Sequence, residues 1–183
     1  MNEIVLFFKK FRGGKQSPPR APVSEIIWSA IGAFVGIFAV YKMGSLGQLL
    51  IEDVLFLVGS FGASAVLIYG LPKSPYAQPR NLIFGHLFSA TVGVTCALLL
   101  TSFPALAAAL AVSLSLVVMH ITRTIHPPGG ATALIAVIGS DNIQQMAYWY
   151  VISPIFVGTL IMLVIALFVN NFSAYRRYPE FWF

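Results

Sequence analysis

The chain has 183 residues, 58% hydrophobic and 9% charged, with a net charge of +5 and a mean hydropathy of +0.84. A soluble domain carries about 25% charged residues, so this composition excludes one and describes an integral membrane protein of a single compact membrane domain. A pI of 9.6 does not point to nucleic acid, because the positive charges lie at the ends and in a few loops, where membrane topology calls for them.

Residues 1–22 read as a basic cytoplasmic segment. The short apolar run from Ile4 to Phe8 is followed, not preceded, by Lys9, Lys10, Arg12, Lys15 and Arg20. That order does not suit a cleaved signal peptide. Phe7, Phe8 and Phe11 suit a short interfacial helix, and Gly13 to Pro22 a flexible lead-in. The absence of an Arg/Ser-rich transit peptide leads us to expect a bacterial inner membrane.

Residues 23–172 form the predicted membrane domain, with six apolar segments. They run from Ile26 to Tyr41, Val54 to Leu71, Leu82 to Phe103, Ala105 to Ile121, Gly129 to Gly139 and Met146 to Val169. A spanning helix needs about 20 residues. The fifth segment is too short to cross alone as a helix; it crosses with an extended His126-Pro127-Pro128 lead-in, or it re-enters. Six crossings with a cytoplasmic N-terminus place Lys73, Arg80, Arg123, Arg176 and Arg177 inside, and Lys42, Glu52, Asp53 and Asp141 outside. That distribution fits the positive-inside rule. Residues 173–183 then form a cytoplasmic tail. Trp28, Tyr148, Trp149, Tyr150, Tyr175, Tyr178 and Trp182 sit at segment ends, as an aromatic belt does.

Between the fourth and fifth segments lies Thr122-Arg123-Thr124-Ile125-His126-Pro127-Pro128-Gly129-Gly130. Prolines stop a helix, glycines allow close backbone approach, and in lipid such a break persists only where protein or water covers it. A new helix starts near Gly130. Its first residues, Gly130-Ala131-Thr132-Ala133, match Gly62-Ala63-Ser64-Ala65 in the second segment. The match suggests two inverted three-segment repeats with broken or half-length helices at Gly62 and Gly130, an arrangement that marks transporter binding sites. The plainer alternative is a pair of small-residue packing faces.

The expected fold is therefore an all-α membrane protein. The candidate substrate site comprises Arg123, His126, the amides of Gly129, Gly130, Ala131 and Thr132, and Gly62, Ala63 and Ser64. Unpaired N–H groups at helix starts favour an anion, and Arg123 adds a fixed charge and a planar donor fork. The alternative for Arg123 is a topology charge near the headgroups. His126 is a donor or a pH gate, or else a helix-end residue satisfied by a carbonyl. His86 and His120 read as structural histidines. Asn81 is expected to cap the third segment, Glu52-Asp53 the second and Asn170-Asn171 the last. Cys96 reads as a buried small hydrophobe. No spacing supports a metal site, no cofactor is expected, and the chain carries no phosphate loop or hydrolase motif.

These residues resemble the HPP family of integral membrane proteins. The likeness covers Gly62 to Leu67, Ser74-Pro75, Ala77 to Asn81, Gly85-His86, Thr122 to Leu134 with its His126-Pro127-Pro128, Asn170-Asn171 and Arg176 to Pro179. The family is usually described with four spanning helices, fewer than the six segments read here. The resemblance implies nitrite transport, known for cyanobacterial and chloroplast members. The partners expected are the lipid bilayer and a small inorganic anion, nitrite first. Small-residue faces would also allow a homo-oligomer. Two rival readings stand beside transport: a non-transporting scaffold or regulatory subunit, and, weakest, a membrane-embedded enzyme using His126 and His86.

Overall fold

The computed structural model describes residues 3–12, 17–46 and 51–183. The side chains of Arg12, Ile51, Glu52, Leu55 and Phe56, together with Lys15 and the Gly13 to Gln16 part of the lead-in, lie outside the described residues. Helices follow one another through the described residues. They are α1 (Glu3–Lys9), α2 (Val23–Leu46), α3 (Ile51–Gly70), α4 (Pro79–Leu99), α5 (Pro104–Thr122), α6 (Pro128–Ile138), α7 (Asp141–Gln145) and α8 (Val157–Phe172). Among the described residues, four helical stretches are long and apolar enough to cross a membrane: α2, α4, α5 and Val151–Phe172. Leu57–Gly70, within α3, and α6 are shorter apolar helices.

Local chemistry explains where these helices begin. Pro79, Pro104 and Pro128 each occupy the first turn of their helix, where the fixed φ is helical and no N–H is missed. Gln78, not Asn81, is the N-cap of α4. Asn81 lies inside the first turn and donates to the Ile125 carbonyl at 2.8 Å, so it ties α4 to the broken connection instead.

Two expectations about breaks are corrected. The α3 helix runs unbroken through Gly62, because an interior glycine costs only about 0.5–1 kcal/mol and a packed helix absorbs that. The last segment is the one that breaks. Ser153 is extended (φ −134°, ψ 119°) before Pro154, as the residue preceding a proline is driven to be. Likewise, Pro127 is helical (φ −50°, ψ −38°), so the connection between α5 and α6 is non-helical over residues 123–126.

Phe34, Leu99, Ile121, Phe168 and Phe172 are exposed on the outside of the bundle, an arrangement costly in water and natural in lipid. Phe7, Phe8 and Phe11 of the N-terminal segment are exposed as well, with ring centroids 5.2–5.7 Å apart. In lipid, burial of apolar surface does not drive helices together, so close packing must. The α4–α6 seam does this with small residues. A Cβ on Gly93 would collide with the backbone of Ala133, and one on Gly129 would come 2.7 Å from the Gly85 carbonyl oxygen.

The C-terminal tail closes one end of the bundle. Arg176 is buried and spends its guanidinium on Glu25 Oε2 (2.7 Å), the Glu25 carbonyl (2.6 Å), Ser29 Oγ (2.8 Å), the Tyr69 carbonyl (3.0 Å) and Asn170 Oδ1 (3.0 Å). It joins α2, α3 and α8 and is more than a topology charge. Asn171 bonds the tail at Tyr178 in both directions, at 2.6 and 3.0 Å. Burial pushes the Tyr178 phenol above its ordinary value, so it stays a donor, to the Ala77 carbonyl at 2.8 Å. The opposite end is tied by Ser140 donating to the buried Asp53 carboxylate.

Candidate functional site

The centre of the molecule holds a chain of buried polar side chains drawn from four elements. Ser64 Oγ of α3 lies 2.7 Å from His86 Nε2 of α4 and 2.9 Å from His126 Nε2. His86 Nδ1 is 2.7 Å from Thr132 Oγ1 of α6, and His126 Nδ1 is 2.8 Å from the Tyr76 carbonyl oxygen. The two imidazole centroids are 4.9 Å apart, and Phe61 covers His86 at 5.4 Å. Ser64, His86, His126 and Thr132 are all fully buried.

The hydrogens of this chain follow from donor and acceptor chemistry. A carbonyl only accepts, so His126 Nδ1 carries a hydrogen. In the neutral ring His126 Nε2 then accepts, and Ser64 must donate to it. Ser64 has one hydrogen, so it accepts from His86 Nε2. His86 Nδ1 is left to accept from the Thr132 hydroxyl. All four bonds therefore run one way, from Thr132 to Tyr76, and the two histidines hold opposite tautomers. Tyr150, also buried, donates to the Thr132 carbonyl at 3.1 Å and fixes this part of α6.

Next to the chain, the end of α5 opens onto the surface. Thr124 N–H donates to the Met119 carbonyl (2.9 Å) and Arg123 N–H to the His120 carbonyl (3.2 Å), the paired bonds of a Schellman cap. That cap puts Arg123 in the left-handed region, φ 57° and ψ 37°, where glycine is usual and any other residue costs about 1–2 kcal/mol. The Arg123 side chain is exposed and has no hydrogen-bond or ion-pair partner among the described residues. With Arg80, Thr122, Thr124, Phe84 and Phe183 it lines a surface cavity of about 700 Å³. A second cavity of about 400 Å³ shares Arg80, Arg123 and Phe183 and reaches Tyr76, Asn81 and Ile125. Tyr76 thus belongs both to the cavity wall and, through its carbonyl, to the buried chain. Arg80 is held by its bond to the Thr122 carbonyl at 2.7 Å.

The predicted residues divide into three groups. Ser64, His126 and Thr132 come together, and Arg123 stands at the nearby mouth. Gly129 is buried against Gly85 and Ser89, while Gly130 and Ala131 are half-buried. The Gly129 and Gly130 amides are not free, as expected from a helix start, but donate to the His126 and Pro127 carbonyls at 2.8 and 3.1 Å; the tight first turn consumes them. Gly62 is half-buried and Ala63 exposed, so neither joins the chain. His86, read as structural, is its centre, and His120 is exposed at the second cavity. Among the described residues no group of three His, Cys, Asp or Glu side chains could hold a metal. Ser89 Oγ is buried with no hydrogen-bond partner among them, beside the first turn of α6.

The fold and this polar centre define a multi-pass helical membrane protein with a buried histidine–hydroxyl chain at a broken helix connection. The family described as "HPP, transmembrane region" matches residues 18–179, and the chain belongs to that family. Two relatives from Dictyostelium discoideum, both named only as transmembrane proteins, are 49% and 47% identical to it over 98% of this chain. The chain spans 58% and 64% of their lengths. No solved structure matches the chain.

Proposed function

We propose that the protein is a transporter or channel for a small monovalent anion, with nitrite as the first choice. The observation that carries this reading is Arg123. It is exposed, unpaired among the described residues, and held at a left-handed position that glycine would occupy at less cost. A left-handed residue that persists beside a cavity points to a role for its side chain. Arg80 adds a second guanidinium to the same mouth, and paired arginines concentrate anions. Behind them Ser89 offers a hydroxyl that nothing in the described protein uses. Nitrite is the anion that the HPP resemblance implies.

The six apolar helices are read as six crossings in two inverted halves. Ser64 and Thr132, at matching places in the two halves, both bond one histidine. Lys73, Arg80, Arg123 and Arg176 gather at one end of the bundle, which the positive-inside rule makes cytoplasmic.

Flux of nitrite into liposomes containing the purified protein, with chloride and formate as competitors, tests this reading. Uptake above empty liposomes, lost in Arg123→Ala, is the expected result. A folded Arg123→Ala that transports normally removes Arg123 from the site. The scaffold reading draws on a specific observation: the chain's hydrogen bonds are complete and the first amides of α6 are spent. It predicts no flux of any anion from folded protein.

A further inference from the structure

We infer that the Thr132–His86–Ser64–His126 chain is a buried proton site, and that one proton moves with each anion. This rests on the anion-transport reading above and names its coupling ion.

The geometry supports it because the chain stays fully hydrogen-bonded with or without one extra proton. Add a proton to His86 Nδ1. The Thr132 hydroxyl, which donated to that nitrogen, turns to the Pro128 carbonyl at 3.4 Å and accepts from His86 instead. His86 Nε2–H still donates to Ser64, Ser64 to His126 Nε2, and His126 Nδ1–H to Tyr76. Now let the Nε2 hydrogen of His86 pass to Ser64 while the Ser64 hydrogen passes to His126 Nε2. The proton has moved to His126, and each N–H and O–H again has an acceptor. No heavy atom needs to move, no bond between heavy atoms forms or breaks, and the added proton comes from water.

The same geometry limits the site to one charge. Two imidazoliums with centroids 4.9 Å apart repel strongly in a low dielectric. Among the described residues, the groups in contact with the rings provide no counter-charge. Phe61 and Ser64 come from α3, Thr132 from α6, backed by the neutral Tyr150, and the Tyr76 carbonyl from the turn before α4. Among the described residues, no carboxylate hydrogen-bonds to either ring. Asp53 accepts from Ser140, and Glu25 pairs with Arg176. A lone buried imidazolium is costly, and an anion moving inward from Arg80 and Arg123 supplies the missing negative charge. The proton in turn replaces the arginines as that anion's partner.

One proton with one monovalent anion is electroneutral, which gives the test. Nitrite uptake is measured in liposomes whose membrane potential is set by potassium and valinomycin, at two external pH values, with empty liposomes correcting for passive nitrous acid entry. Expected for wild type is uptake that rises on external acidification and does not change with potential. Thr132→Val, close in shape, removes the acceptor for a charged His86 and is expected to lower uptake about tenfold and to shift its pH dependence to more acidic values. Ser64→Ala, which cuts the link between the rings, is expected to abolish the pH dependence. Ring nitrogen NMR of histidine-labelled protein in nanodiscs provides a readout free of transport. It should show opposite tautomers at His86 and His126, and a single imidazolium when nitrite is added. Nitrite uptake that follows the potential and ignores pH overturns the proton site and leaves the anion reading standing. Like tautomers, or nitrite bound without an imidazolium, overturn it too. Absence of flux for nitrite, chloride and formate alike defeats both readings.

Discussion

Ser64 and Thr132 hold opposite nitrogens of one imidazole ring, His86 Nε2 at 2.7 Å and His86 Nδ1 at 2.7 Å. They occupy the same place in the two Gly-Ala-hydroxyl-Ala stretches, one in α3 and the other in α6. The similarity between those stretches therefore has a chemical consequence: each supplies one hydroxyl to a histidine on the helix between them.

Cutting that arrangement leaves buried nitrogens without partners. Ser64→Ala orphans His86 Nε2 and His126 Nε2 together, and an unsatisfied buried polar group costs about 1–3 kcal/mol. A clear fall in thermal unfolding temperature is expected. Ala63→Leu, one residue away on the exposed side of α3, should stay within about 0.5 kcal/mol of wild type and keep nitrite flux. Equal effects of the two changes would contradict the buried chain.

Arg123 can be separated from the fold it sits in. Arg123→Gly removes the side chain and relieves the left-handed backbone at once. Stability should remain within about 1 kcal/mol of wild type, while nitrite flux falls at least about tenfold, the equivalent of one charge-assisted contact. Liposome flux alongside a thermal melt reads both. Retained flux would place the anion path elsewhere.

The α4–α6 seam distinguishes neighbouring glycines. Gly93→Ala sets a methyl against the backbone of Ala133, and Gly129→Ala sets one against Gly85 and Ser89. Overpacking of this kind costs about 1–3 kcal/mol. At Gly130 the nearest atom to an added Cβ is Val112 Cγ1 at 3.8 Å, so Gly130→Ala should be neutral or mildly stabilising. Melting of the three variants in the same detergent decides this. A Gly130 variant as damaged as the other two would refute the packing described.

Arg176→Lys is not conservative here. An ammonium cannot reach Glu25, Ser29, the Tyr69 carbonyl and Asn170 at once, as the guanidinium does. A loss of about 1–3 kcal/mol is expected from the acceptors left unpaired. Limited proteolysis should then cut the tail faster than in wild type. An unchanged melt and cleavage rate would show that the clamp contributes little.

Much of the fold was legible. The apolar runs mark the helices, although the helices start at Pro79, Pro104 and Pro128, one to three residues before the runs from Leu82, Ala105 and Gly129, where a proline's fixed φ favours a first turn. Gly62 misled because a glycine signals permission to break, and the packing of α3 declined it. Ser153 was missed although Pro154 stood beside it, since the surrounding apolar run outweighed one residue in the reading. A broken, small-residue motif singled out Arg123, Ser64, His126 and Thr132. It did not connect His86 to them, because a single histidine in an apolar segment says nothing about its partners.

The sequence by itself determined that this is a helical membrane protein of the HPP family, with basic residues between particular segments and a break before Pro128. Those properties are local: composition, run length and proline geometry do not depend on what folds against what. Only the tertiary structure decided that Ser64 would bridge residues 22 and 62 positions away. It likewise decided that Arg80 would share a mouth with Arg123, and that Arg176 would be buried rather than exposed. Hydrogen bonds of that reach need the backbones of separate helices within a few ångströms. Gly85 and Gly93 permit that approach on α4, and the full set of packed helices fixes which side chains then meet.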